Sequence, residues 1–125
     1  MISVQEALEI HKILIEQFSG KHGLRDLSLL ESALQRPFQT FDGGELYSTP
    51  IQKSAAIMES IVRNHPFVDG NKRTGYVLAR LTLLNNGVDI DASQNEKYQL
   101  VMKIAENQID FDEIVKWLDK NTRSR

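Results

Sequence analysis

An imidazole, a carboxylate, an amide and two cations fall within the run His65-Pro66-Phe67-Val68-Asp69-Gly70-Asn71-Lys72-Arg73-Thr74, between two apolar stretches. Together these residue types suit transfer of a group from a nucleotide. A free imidazole titrates near neutrality, so His65 can accept the proton of an attacking hydroxyl. Asp69 can reach a hard cation such as Mg2+, which commonly takes one or two protein carboxylates and completes its shell with phosphates and water. Unpaired backbone N–H groups at a helix start near Gly70 to Arg73 point outward with the positive end of the helix dipole and suit phosphate oxygens. Gly70 keeps that concavity clear of a side chain. Asn71 can orient a phosphate or a metal-bound water, Lys72 supplies a point charge and Arg73 a planar fork.

Plainer roles exist for each. A histidine at a helix C-terminus is favoured by the dipole, and Asp69 and Asn71 are good caps. Lys72 and Arg73 can belong to a solvated first turn, but two adjacent cations there oppose the macrodipole and ask for an anion nearby. Phe67 reads as an apolar plug that fixes the loop, and Pro66 as a stiffener. His11 and His22 lack partners at metal-ligand spacing and read as structural, while Met58 and Met102 read as core.

The elements that must hold this loop follow from caps and periodicity. Ser3 and Glu6 form a capping box ahead of Ala7, Leu8, His11, Leu14, Ile15 and Phe18, which predicts a helix over about Val4 to Phe18. Ser28 and Glu31 repeat the device for a short second helix that Pro37 ends by disfavouring the helical conformation at Arg36. Pro37 to Thr49, with Gly43-Gly44, is long for a connection in a compact bundle and reads as a mobile flap. Thr49, Pro50 and Gln52 then open a third helix that ends near Asn64, just before the polar loop. After the loop, Tyr76 to Leu84 is apolar on nearly every side, as for a central helix enclosed by others, and Asn85-Asn86-Gly87 ends it. Ser93 with Glu96 and Asp110 with Glu113 open two more, the first carrying Tyr98, Val101, Met102 and Ala105. Val88-Asp89-Ile90 is the one plausible strand and is too short to found a sheet. The expected fold is therefore an all-α, six-helix bundle in a single domain, residues 1–125.

Composition narrows the function classes. With no Cys there are no disulfides, thiolate zinc sites or cysteine nucleophiles, which fits a reducing compartment; the expected location is the cytoplasm. The start Met1-Ile2-Ser3-Val4-Gln5-Glu6 lacks the pattern of a signal peptide, and no stretch approaches a membrane span. A formal net charge of −2 gives no global attraction to phosphate polymers, so nucleic acid is not an expected partner. A small DNA-binding domain would have to use Lys72, Arg73 and Arg80 on one helix face. A helical module that docks a partner without chemistry is the other competing class.

The run from His65 to Arg73 resembles the motif of the Fic and Doc (death on curing) superfamily, His-Pro-Phe, any residue, Asp or Glu, Gly-Asn-Gly-Arg. Eight of the nine positions agree when Val68 takes the variable slot. Lys72 in place of the second Gly is the form typical of the Doc branch, and the segment Gly23-Leu24-Arg25-Asp26 and the passage from Leu78 through Gly87 into Val88-Asp89 are also similar to Doc proteins. The resemblance implies His65 as base, Asp69 as Mg2+ ligand, Gly70, Asn71, Lys72 and Arg73 as the phosphate-binding residues, Phe67 in the core, and a flap that positions the target segment. It further implies a toxin-type protein kinase that moves the gamma-phosphate of ATP to a hydroxyl of a target protein, a translation factor by analogy. AMP transfer is the alternative, since Pro66 and Gly70 follow the nucleotidyl-transfer pattern. No copy of that branch's inhibitory helix, Ser or Thr spaced four before Glu, is found, which implies inhibition by a separate small antitoxin.

Overall fold

The computed structural model describes residues 1–125. Six α-helices follow in chain order: α1 (Val4–Phe18), α2 (Leu27–Gln35), α3 (Pro50–Asn64), α4 (Asn71–Leu84), α5 (Gln94–Ala105) and α6 (Phe111–Lys120). Four short strands accompany them: β1 (Thr40–Phe41), β2 (Gly44–Glu45), β3 (Val88–Ile90) and β4 (Thr122–Ser124). The reciprocal caps predicted at Ser3, Thr49, Ser93 and Asp110 all form, each satisfying two donors that a helix start leaves orphaned. The box predicted at Ser28 and Glu31 does not. Asp26 is the cap, accepting from the Leu29 amide, and the Ser28 hydroxyl donates to the Asp26 carboxylate at 2.7 Å. A carboxylate two residues upstream outcompetes the serine because it accepts both bonds at once. Arg36 also keeps helical dihedrals despite Pro37, which sits at the start of a single 3-10 turn, Arg36–Phe38, where its missing N–H costs nothing.

The most enclosed helix is α3 and not, as its apolar run suggested, α4. Eight of the fifteen residues of α3 are buried, against five of the fourteen of α4. The core joins Ala55, Met58, Ile61 and Val62 of α3 to Leu78 and Leu83 of α4, with Leu30, Leu100, Ile104, Ile114 and Leu118 from the surrounding helices. Gly75 allows α3 and α4 to approach: a Cβ there would lie 2.7 Å from Val62 Cγ2. Because α3 fills the centre, α4 keeps exposed positions, Lys72, Arg73 and Arg80, and the polar loop leads into its start.

Two small antiparallel sheets correct the all-α expectation. β3 pairs with β4 in the register Val88↔Ser124, Asp89↔Arg123, Ile90↔Thr122, so the segment that looked too short for a sheet finds its partner in the polar C-terminal tail. β1 and β2 form a hairpin with Thr40↔Glu45 and Phe41↔Gly44 opposed, turned by Asp42 and Gly43 at positive φ. An Asp-Gly pair is the usual source of that turn. The flap is therefore structured, and its stem is tied down. The Lys53 ammonium donates to the Pro37 and Tyr47 carbonyls and to Glu45 Oε1. Arg36, paired with Glu59 at 2.9 Å, also donates to the Tyr47 hydroxyl.

Arg80 reaches from α4 to β3 with two hydrogen bonds to Asp89, 2.9 and 3.1 Å. Those bonds, first among several causes, pull the Asp89 carboxyl from its ordinary 3.8 down to about 2. A folded pKa below the unfolded one adds stability that is present above about pH 4 and is lost as pH falls through about 2. Asp89→Asn is expected to flatten the pH dependence of urea unfolding across that window, with a small loss at neutral pH because Arg80 is half open to solvent. Identical pH profiles for the two proteins would show that the pair contributes nothing.

Candidate active site

The loop between α3 and α4 is held as a lane against residues 20–26. α3 ends at His65, which takes a left-handed conformation, φ 50 and ψ 61. The Arg25 guanidinium covers that helix end, donating to the carbonyls of His65 at 2.6 Å and Asn64 at 2.7 Å. The Arg25 and Asp26 amides both donate to the Pro66 carbonyl, the Val68 amide donates to Gly23, and Leu24 bridges to Phe67. Pro66 and Phe67 turn inward and are buried, while the His65 side chain stays exposed. Phe67 is the plug the sequence suggested. Its ring stacks on His11 with centroids 3.8 Å apart and planes 5° from parallel.

His11 is structural, as expected, and its place explains the loop. Its Nε2 donates to the Asp69 carbonyl at 2.8 Å, so one buried ring both stacks under Phe67 and holds the next turn. The Asn71 side chain clasps the loop from the other side, accepting from the Phe67 amide and donating to the Phe67 carbonyl, both at 3.0 Å. The Asn71 side-chain amide is thus engaged with the Phe67 backbone.

Asp69 is exposed, and its two oxygens accept from different amides: Oδ2 from Lys21 at 3.0 Å and Oδ1 from Gly70 at 2.8 Å. The Lys21 bond first, then the Gly70 bond, holds its carboxyl below the ordinary range, so it is ionised at neutral pH. Gly70 caps α4 at φ 76 without a side-chain bond. Its own amide is spent on Asp69, so the amides left unpaired at the helix start are those of Asn71, Lys72 and Arg73. Lys72 and Arg73 are exposed and join no ion pair. By contrast Arg80, the third cation a DNA-binding face would need, is taken by Asp89.

A cleft of about 330 Å³ opens between the start of α4 and α5. Asp69 to Arg73 and Tyr76 line it from the loop and α4, and Gln94, Lys97, Tyr98, Val101 and Met102 line it from α5. Met102 thus belongs to the cleft wall and not to the core, and Tyr98 is 59% exposed instead of packed inward. Their spacing of four residues puts both on one face of α5, a signal the sequence held but which reads equally as a buried stripe. His65 is not among the residues that line the cleft.

The turn after α1 sets Asp69. Gly20 lies at φ 132, and a Cβ there would come within 2.8 Å of Asp69 Oδ2. Gly20→Ala is therefore expected to displace the carboxylate and, on the sequence expectation that Asp69 holds Mg2+ for a nucleotide, to weaken Mg2+-dependent nucleotide binding about tenfold or more, on the scale of lost ligand support. Calorimetry with ATP, with and without Mg2+, reads this; unchanged Mg2+ dependence would show that the position of Asp69 is immaterial.

Residues 1–83, which contain the whole loop and both of its supports, match the model of the Fic/DOC family. The chain belongs to the Fic/DOC family. It is similar to the Toxin Doc of Mycolicibacterium smegmatis, 37% identical over 99 residues that cover 78% of this chain and 76% of that protein. This likeness places it in the Doc-like branch of the Fic/DOC proteins. It is also similar to the Protein adenylyltransferase Fic of Drosophila sechellia and of Drosophila melanogaster, at 28% identity over 137 residues in each case. Those alignments cover 94% of this chain but 27% of the fly proteins, so this chain spans about a quarter of their length. No helix is long and apolar enough to cross a membrane.

Proposed function

We propose that this Fic/DOC chain is a nucleotide-dependent transferase that moves the gamma-phosphate of ATP to a hydroxyl of a target protein, with His65 as general base. The observation that carries this reading is the grouping of an ionised Asp69, three unpaired α4 amides and two unpaired cations in the lining of one cleft that also holds Tyr76, Tyr98, Val101 and Met102. Phosphates suit the amides and cations, and a nucleoside suits Tyr98 and Met102. The donor set fits Mg2+. One exposed carboxylate, and no cluster of three or more acidic or His ligands, matches an ion that completes its shell with phosphate oxygens and water. Asp69 would hold the ion, which when bound neutralises phosphate charge.

In the step proposed, His65 takes the proton of the target hydroxyl, whose oxygen bonds to the gamma-phosphorus as the bond to the beta-phosphate oxygen breaks and ADP leaves. Arg73 and the α4 amides hold the phosphates in line. Lys72 favours the gamma-phosphate at the attack position because its side chain fills the space that a glycine would leave for a closer, alpha-phosphate approach. The likeness to the bacterial Toxin Doc supports this choice and supports a small antitoxin as partner. AMP transfer is the second reading, favoured by the fly adenylyltransferases and by Gly70. Reactions with gamma- and alpha-labelled ATP, using cell extract as acceptor, separate the two. The parent is expected to leave only the gamma label on protein, and Lys72→Gly to lose most of it. Alpha label on protein with the parent would overturn the kinase reading.

A further inference from the structure

Arg73 occupies the third position of α4, where the helix dipole disfavours a cation, and no carboxylate compensates it. Its guanidinium carbon lies instead 4.1 Å from the centroid of the Phe18 ring, the shortest such contact in the molecule. Phe18 is the last residue of α1 and is 53% exposed, so burial alone does not account for an aromatic side chain there. The ring covers one face of the guanidinium, while no N–H of Arg73 is taken by a side-chain or carbonyl acceptor. The guanidinium thus rests against the ring with its donors unspent. Directly after Phe18, Ser19 at φ 70 and Gly20 at φ 132 turn the chain so that the Lys21 amide reaches Asp69. The end of α1 therefore supports both charged groups of the loop, Arg73 through a ring and Asp69 through an amide.

We infer that Phe18 is a positioning residue for the polyphosphate of the ligand: it holds the Arg73 guanidinium beside the start of α4, ready to take phosphate oxygens. The inference rests on the reading of the cleft as a nucleotide site. A guanidinium held by a ring has less freedom to lose when it binds an anion, and the ring's quadrupole offsets the unfavourable dipole while no anion is present.

Calorimetric titration with three probes tests this: ATP with Mg2+, inorganic triphosphate, and adenosine. Phe18→Leu keeps the apolar bulk and removes the ring; it is expected to weaken ATP and triphosphate roughly two- to fivefold, the range of an exposed cation–π contact. Adenosine binding is expected to stay unchanged, and Phe18→Tyr to restore the parent affinities. On an Arg73→Ala background, Phe18→Leu is expected to add nothing, because the ring acts only through the guanidinium. Weaker adenosine binding in step with ATP, or an equal loss on the Arg73→Ala background, would overturn the inference by showing a general structural effect. Arg73→Ala weakening ATP while Phe18→Leu leaves it untouched would overturn it and leave the nucleotide site standing. Failure of the parent to bind ATP at all would instead remove the nucleotide-site reading and this inference with it.

Discussion

His65→Ala is expected to lower protein labelling from ATP by about 10²–10⁴-fold, the usual worth of a general base, and to leave the fold intact. The side chain is exposed and makes no hydrogen bond, and the loop is held by His11, Arg25 and Asn71 instead. The one structural cost is backbone: His65 ends α3 at φ 50, where a residue with a Cβ is strained and Asn or His are the better tolerated types. His65→Asn therefore serves as the companion variant. It should melt with the parent and be as inactive as His65→Ala. Labelling by His65→Asn at the parent rate, or toxicity on expression equal to the parent's, would remove His65 from the reaction.

Phe67→Ala should behave in the opposite way, losing activity because the loop and its supports come apart. Phe67 is 1% exposed, stacks on His11, bridges to Leu24 and is clasped through its backbone by Asn71. Truncating a buried aromatic costs about 3–5 kcal/mol, which for a chain of this size lowers the melting temperature by on the order of 10–20 °C. The loss is compounded because His11 then lacks the ring that orients it toward the Asp69 carbonyl. A melting temperature within about 2 °C of the parent, with activity lost, would mean that Phe67 acts on the ligand and not on the fold.

The contrast between these two residues reflects what a sequence can carry. The polar loop was legible because its chemistry is contiguous, and four helix starts were legible because a capping box spans only four residues. The supports of the loop were not legible. The lane of residues 20–26 that binds Pro66 and Val68, the His11 contact with Asp69, and the Arg73–Phe18 stack all join positions forty or more residues apart, and nothing local in residue type announces them. The hairpin at Asp42-Gly43 had a local signal that the length of the flap obscured. The misplacement of Tyr98 and Met102 has a different cause: helical spacing says that two residues share a face, but only packing decides whether that face meets the core or a cleft.

Mass spectrometry of cell extract incubated with the protein, ATP and Mg2+ tests directly whether this chain transfers phosphate from ATP to protein through His65. A protein of the extract is expected to gain the mass of one phosphate on a hydroxyl-bearing residue with the parent and with none of the His65 variants. A gain of the mass of AMP would contradict the reaction assigned here, and the same phosphate gain with His65→Asn would contradict the base.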